Sequence, residues 1–445
     1  MKIKKFLPIV LTIVSLADQA SAQQKVLLTL KESTQMGIER NVNVKNARLD
    51  NSKIHYQLKE AQSKLYPQLE GFSTFNYYYA IPKMILPGEI FGQTGLIPVE
   101  IGTTFDWSNG FKATQVLYNQ SYFTSLKLSK RMETFGTLSL QQKKEELVYQ
   151  VTQVYYLCQA TGKQIEQLKL TMQNTNKLLD VAKQQNENGV IRKIDYSRVL
   201  VSKNNMQTQI DNLDQLEQQQ IGLLKYCIGL PVETEVELAD SLSLPLTQLT
   251  PENPNFSNRT ELALIDKQIE INKLKVKINR NTYLPTLSGF GQLYYEGQQN
   301  TFNYFKDGDG KFFKTGFFGI SLNVPLFDGF EKYAKTKQYD IELQQLQNTR
   351  KNTQDYFTKQ FTDAYRQYQN CLKTLAREQE NQKMAEETYK VSLLGYGQQV
   401  VSLTDLLLSE NSLTESHLAY FNALLQLKNA ELEVKKSKGE LLNNQ

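Results

Sequence analysis

The chain carries nearly the same pattern twice, and this constrains its fold more than any other feature. Asn41 through Pro67 aligns with Arg259 through Pro285 at a fixed offset: Val44 with Leu262, Ala47 with Ile265, Leu58 with Val276, and Leu65-Tyr66-Pro67 with Tyr283-Leu284-Pro285. The correspondence continues where Val116-Leu117-Tyr118-Asn119 answers Pro325-Leu326-Phe327-Asp328 and Ile194-Asp195 answers Thr404-Asp405. A unit of about two hundred residues far exceeds the 20–50-residue repeats of solenoids, so the chain reads as a duplicated half-molecule. Its fold should therefore have internal two-fold pseudo-symmetry.

The N-terminus gives the second signal. Lys2, Lys4 and Lys5 precede an apolar run from Phe6 to Leu16, and Ala20-Ser21-Ala22 supplies a small-x-small cleavage site. That order of parts is a secretory signal peptide over residues 1–22. The run is too short for a membrane-spanning helix, which leaves a short anchor as the alternative. Gln23, not a cysteine, follows the cut, so no lipoprotein attachment is expected. Removal of three lysines and one aspartate takes the formal charge from +5 to +3. Near-neutrality and the lack of a basic run exclude the clustered footprint of a nucleic-acid partner.

Catalytic chemistry finds no foothold. The three cysteines, Cys158, Cys227 and Cys371, are odd in number, far apart and set in helical patterns, so each reads as a small apolar residue. His55 and His417 have no Cys or second His at metal-ligand spacing and are expected at the surface. No G-x-S-x-G, H-E-x-x-H, P-loop or dinucleotide fingerprint occurs. An enzyme is not expected, and neither a catalytic residue, a metal site nor a cofactor.

Each half shows one order of parts: a medium helix, a strand pair, a very long helix, a short break and a long helix. The spacing predicts a first half over 23–228, a linker over 229–258 and a second half over 259–445. The first helix runs from about Leu30 to Leu65 and stops at Pro67; its partner runs from Thr260 to Leu284 and stops at Pro285. Proline lacks the amide and clashes with the preceding turn, and it biases Tyr66 and Leu284 toward extended backbone. The linker holds Pro231, Pro245, Pro251 and Pro254 and reads as irregular or partly helical.

After each proline the period changes to two. Phe318, Ile320, Leu322 and Val324 alternate with Gly319, Ser321 and Asn323, the mark of a strand with one apolar and one small-polar face. Leu287–Glu296 and Gln68–Ala80 alternate less cleanly, and Ile101–Leu117, with the only tryptophan, Trp107, is the least regular. The connection Ile81–Val99 carries three prolines, while Asn300–Lys314 contains Asp307-Gly308-Asp309-Gly310.

The long helices follow. From Leu147, apolar residues fall at Val151, Val154, Cys158, Ile165, Leu168, Met172 and Leu179 in steps of three and four, broken only by Thr161 and Thr175. This heptad seam should supercoil against neighbours. Phe357, Phe361, Ala364, Tyr368 and Cys371 begin the second copy alike. About 65 residues without proline imply a rod of roughly 100 Å, too long for a compact domain. The remaining faces are rich in Gln, Asn and Lys, which suits either a solitary coiled coil or the wall of a water-filled tube.

Four strands cannot close a barrel, because open edges in a bilayer leave amides unpaired. Four from each of three chains would give twelve, an even number suited to an outer-membrane barrel. The Phe/Ile/Leu/Val alternates would then face lipid and the Gly/Ser/Asn alternates water. A soluble hairpin lying on a helix bundle is the competing reading.

Leu28-Thr29-Leu30-Lys31-Glu32, the Leu-Tyr-Pro and Tyr-Leu-Pro helix stops, Pro325-Leu326-Phe327-Asp328-Gly329, and the paired breaks Gly189…Asp195 and Gly395-Tyr396…Asp405 resemble the TolC family of outer-membrane efflux channels. The resemblance covers essentially the whole mature chain and rests on the order and duplication of motifs that are each weak. It implies a mainly α fold with β: a long coiled-coil α-barrel plus a transmembrane β-barrel shared by three chains, four strands per chain. It implies an outer-membrane channel extending into the periplasm, a passive duct joined to a periplasmic adaptor protein and an inner-membrane pump. Small-molecule efflux is the first expectation. A type I protein-secretion duct and a non-pore coiled-coil envelope or adhesion protein are the alternatives.

The breaks at Asn188-Gly189 and Gly395-Tyr396-Gly397 place hairpin turns far from the strands, with Asp195 and Asp405 following at equivalent positions. In a trimer, three copies of Asp405 would ring the axis and favour cations. The resemblance implies that Tyr396 bonds Asp195 to hold this constriction closed; the alternative is that each Asp only caps a helix start. The chain departs from the family pattern where Val401 stands for a linking Arg and Leu408 for a second acid, which shifts the expected closure toward apolar contact.

Overall fold

The computed structural model of the protein describes residues 26–243, 256–305 and 312–442; the expected signal peptide and the Asp307-Gly308-Asp309-Gly310 loop lie outside them. In chain order the first half has β1 (Val26–Leu28), α1 (Leu30–Arg40), α2 (Val42–Ser63), β2 (Gln68–Tyr77), β3 (Lys83–Pro87), β4 (Leu96–Glu100), β5 (Phe105–Tyr118), α3 (Gln120–Glu187) and α4 (Lys193–Ile228). β6 (Val236–Leu238) precedes the second half, which has α5 (Thr260–Asn281), β7 (Thr286–Gln299), β8 (Phe312–Asn323), α6 (Glu331–Gly397) and α7 (Leu403–Lys438). The fold is mainly helical with a smaller share of strand, and the element order of one half returns in the other.

The two continuous rods, α3 with 68 residues and α6 with 67, are each about 100 Å long. Their neighbours change along the way. On the strand side α3 packs on α2 and α5, and α6 on α5; on the far side α3 packs on α4 and α7, and α6 on α7. Thus α2 and α4 together span most of one rod, as do α5 and α7. Asn41 ends α1, caps α2 through the Asn43 amide, and donates from Nδ2 to the Cys227 carbonyl at 2.8 Å. In the other half, Arg259 donates to the Lys436 carbonyl at 2.7 Å. Both joints need glycine. Gly229 and Gly439 sit at φ 70° and 75°, and a Cβ there would lie 3.0 Å from the Arg40 backbone and 2.8 Å from the Asn258 carbonyl.

The core follows the heptad seam rather than forming one globule. Leu28, Val44, Val151, Tyr155, Leu224 and Ile228 are buried where α1, α3 and α4 meet, and Tyr368, Leu375, Leu424, Leu427 and Val434 fill the α6–α7 contact. All three cysteines are free and buried. Among the described residues no helix is long and apolar enough to cross a membrane.

Several local expectations need correction. The first helix is two, because the Asn41 side chain satisfies α2's first amides and starts a new helix. The linker contributes β6, which pairs in parallel with β1. The proline-bearing connection 81–99 folds into a β3–β4 hairpin. Ile101–Leu117, the least regular pattern, becomes one of the two longest strands, since its pairing with both β2 and β7 outweighs its mixed side chains. His417 is not at the surface. It is 5% exposed, with its ring nitrogens 3.2 Å from Gln167 Nε2 and 2.9 Å from Gln382 Nε2.

Candidate functional site

Two regions at opposite ends of the shaft carry the functional residues. At one end β2, β5, β7 and β8 form an antiparallel sheet in that order, so β2 and β8 each have one unpaired edge. Directly opposed residues share a face. Leu322 opposes Leu287, Ile320 opposes Gly289, Phe318 opposes Gly291, and Leu293 opposes Gly316 and Phe111. This face is apolar, and its glycines let large neighbours lie flat: a Cβ on Gly316 would meet Leu293 at 3.1 Å. The other face is mixed: it presents Ser321 and Ser288, Gln292 and Lys112, Thr114 and Gln68, together with the ring pairs Phe290–Phe317 and Phe72–Tyr294. Phe318, Ile320 and Leu322 are 93%, 70% and 63% exposed, and Val324, one residue past β8, is also exposed.

Aromatic residues collect at both ends of the apolar face. Trp107 lies 5.4 Å from Tyr304 and 5.6 Å from Phe305 between ring centroids, and Phe105 lies 5.7 Å from Phe302. Beyond the other end, Phe327 and Phe330 meet edge to face at 5.6 Å, both strongly exposed. Some polar groups on this apolar face bond to one another, while Lys314, opposite Tyr295, is exposed. Trp107 Nε1 donates to Ser73 Oγ at 3.0 Å, and Ser73 donates to Asn109 Oδ1 at 2.6 Å. An apolar band with such belts suits a lipid surface.

At the far end, α3 turns into α4 and α6 into α7. α6 continues through Gly397, so its turn lies later than the Gly395-Tyr396-Gly397 motif suggests. Gly395 serves that turn from within the helix. Val400 N and Val401 N donate to its carbonyl at 2.9 and 3.2 Å, and a Cβ would strike Val401 Cγ2 at 2.5 Å. The left-handed turn residue is Gly189 (φ 73°) in the first half and Gln399 (φ 60°) in the second. Nothing lies within 4 Å of a Cβ on Gly189. Gly189→Ala should therefore cost only the backbone term, about 1 kcal/mol, read as a lower unfolding midpoint in detergent. Gln399→Gly should shift it the other way.

Asp195 and Asp405 occupy the same place, three residues into α4 and α7. Asp405 is exposed; Ser402 caps α7 by accepting from Asp405 N at 3.2 Å, and its hydroxyl donates to Asp405 Oδ2 at 2.6 Å. Asp195 is more enclosed, with Arg192 Nε at 3.0 Å and Arg198 Nη1 at 3.6 Å. Arg198 also donates to Thr404 Oγ1 at 2.9 Å, which ties α4 to α7. The arginine sought near Val401 is thus supplied by the other hairpin. Tyr396 donates to Gln185 Oε1 at 3.4 Å rather than to Asp195. Burial, and secondarily the charge of Asp195, push its hydroxyl pKa up. Beneath these groups Leu178, Ala182, Val199, Tyr389, Leu403 and Leu406 form an apolar core cluster between α3, α4, α6 and α7.

One buried acid escaped sequence reading. Glu410 on α7 is 1% exposed. Its Oε1 accepts from Thr175 Oγ1 of α3 at 2.5 Å, while Oε2 has no hydrogen-bond partner among the described residues. Its only sequence signal is an acid in a run of otherwise apolar inward positions, Leu403, Leu406, Leu413 and Leu424.

A sheet with one apolar face and one more polar face stands at the end of a long helical shaft. Residues 257–440 match the family model described as outer membrane efflux protein. This match covers the second half of the chain, and the sequence as a whole resembles the TolC-type channels. The fold is similar to that of CusC, solved in a study of folding and transmembrane channel formation (TM-score 0.73, 15% identity, 92% of each chain). It is also similar to the Campylobacter jejuni CmeC outer membrane channel (TM-score 0.71, 15% identity, 92% of this chain and 85% of that one). The open state of the Neisseria gonorrhoeae MtrE outer membrane channel is comparably alike (TM-score 0.71, 14% identity, 93% and 89%). No curated protein sequence matches significantly. At these identities the structural likeness speaks for the fold.

Proposed function

We propose that the protein is a homotrimeric duct through which small molecules leave the cell. The carrying observation is the four-stranded sheet with one apolar face, one more polar face and two unpaired edges. An unpaired edge is untenable in hydrocarbon, and β8 of one copy meeting β2 of the next removes it. Three copies close a twelve-stranded barrel, with Phe318, Ile320, Leu322 and Val324 toward lipid and the Ser/Gln/Thr face lining the pore. The helices then form a tube reaching through the periplasm, where a periplasmic adaptor protein and an inner-membrane pump would engage. Asp195, Tyr396 and Asp405 would lie at its narrow end, where the Arg198 link and the apolar core beneath it hold the two hairpins of each copy together. A non-pore coiled-coil protein has no use for such a sheet, and a type I secretion duct would share it.

Detergent extraction of outer membranes and electrophoresis without boiling tests the reading: a band at three protomer masses is expected, and a soluble monomer would sink it. In planar bilayers, Arg198→Ala should raise resting single-channel conductance by freeing α7 from α4. Unchanged conductance would remove Arg198 from the closure.

A further inference from the structure

Among the described residues, the β3–β4 hairpin is a part of the sheet end that the duct leaves unexplained. It continues the β2–β5 ladder past the aromatic belt, through hydrogen bonds from Tyr78 N to the Thr104 carbonyl at 2.8 Å and Ile101 N to the Pro82 carbonyl at 3.0 Å. Lys83 and Glu100 pair at its base, 3.3 Å apart. Above them both faces are apolar. Met84 opposes Val99 and Leu86 opposes Ile97 on one; Ile85 opposes Pro98 and Pro87 opposes Leu96 on the other. Met84, Ile85 and Leu96 are 52%, 66% and 74% exposed, as are Ile90 and Phe91 at the tip, 69% and 52%, while Leu86, Ile97 and Val99 on the Met84 face are half-buried. A free two-stranded hairpin is marginal in water, and one apolar on both sides needs a cover on each.

We infer that the three hairpins of the assembled channel pack on one another around the three-fold axis and cap its outer mouth. This rests on the trimeric reading. Acyl chains are ruled out as the cover, because the hairpin starts beyond the belt that marks the membrane surface. A second copy fits the two-sidedness: in a closed ring each copy has a neighbour on either side, so the Met84 face of one meets the Leu96 face of the next. The reach also fits. A twelve-stranded barrel has a radius of about 12 Å at ordinary strand spacing and tilt. Five-residue arms extend roughly 17 Å, enough to reach the axis. The hairpin grows from β2, the strand at the seam between copies.

Cysteine crosslinking in outer membranes tests this, because Cys158, Cys227 and Cys371 are buried. Met84→Cys/Leu96→Cys places one thiol on each face, and oxidation should yield a covalent trimer. Either single substitution should yield no crosslink, since like residues do not meet in a head-to-tail ring. Replacing residues 83–100 with an Asn-Gly turn should raise conductance. Absence of crosslinks in the double variant, with the unboiled trimer intact, overturns the cap and leaves the duct standing. A crosslink in the Met84→Cys single variant overturns the ring packing. Crosslinks to a different surface protein assign the hairpin to another partner and overturn the cap. Loss of the unboiled trimer before oxidation sinks the duct reading itself.

Discussion

Arginine at Ile320 will block assembly into the membrane, and arginine at Ser321 will be tolerated. The two positions are adjacent on β8, so helix packing, expression and chain length are common to both; only the face differs. Ile320 shares its face with Gly289, Phe318 and Leu322, and lies about midway between the belts at Phe312 and Phe327. A cation there sits at the bilayer midplane and costs about 2–4 kcal/mol. At Ser321, opposite Ser288, the same cation would meet water in the proposed pore. Unboiled electrophoresis of washed outer membranes reads both. Equal outcomes would undo the inside–outside assignment on which the barrel rests.

The second large effect is a pH dependence carried by Glu410. Burial raises its carboxyl pKa above 4.5, and the hydroxyls of Thr175 and Ser202 offset only part of that. Because the folded pKa is raised, the packed shaft binds the proton more readily than the unfolded chain does. The stabilisation is complete below 4.5 and is lost as pH rises through the folded value. Tyr389 faces the same point, its hydroxyl pushed up to about 12 by burial and then by the Glu410 charge, so it offers no compensating cation. Glu410→Gln should therefore stabilise the shaft by roughly 1–3 kcal/mol at alkaline pH, and leave acid stability nearly unchanged. His417, two turns on, works in the opposite sense. Burial lowers its pKa against the pull of Glu386, so its contribution falls on acidification through the folded value. Unfolding midpoints across pH separate the two. A pH-independent gain in Glu410→Gln would show that packing, not ionisation, is responsible.

The legible parts of this chain were those set by period and by proline. The 3.5-residue seam from Leu147 marks α3 as a rod because such a stripe cannot be buried in any shorter element. The alternation at Phe318–Val324 marks β8 and its two faces, since side chains on a strand must point to opposite sides. Duplication carried each inference into the other half. The tip was only partly legible. Asp195 and Asp405 stand at equivalent helix positions as their spacing implied, but the partners of Asp195 and Tyr396 are Arg192, Arg198 and Gln185. Gln185 and Arg198 lie on either side of a turn whose geometry sets which of them reaches the tyrosine or the other hairpin. That choice depends on distances across helices, which no local pattern records.

Sequence alone thus determined the repeat, the rods, the strands and the family resemblance, because periodicity and helix stops are properties of consecutive residues. Only the tertiary structure decided which atoms meet: Asn41 with Cys227, Arg198 with Thr404, Glu410 with Thr175, and the free β3–β4 hairpin beyond the belt. Those pairings join residues up to 235 positions apart, and they are selected by packing between rods. A shift of one helical turn along a 68-residue helix would preserve every sequence pattern and replace every one of these contacts.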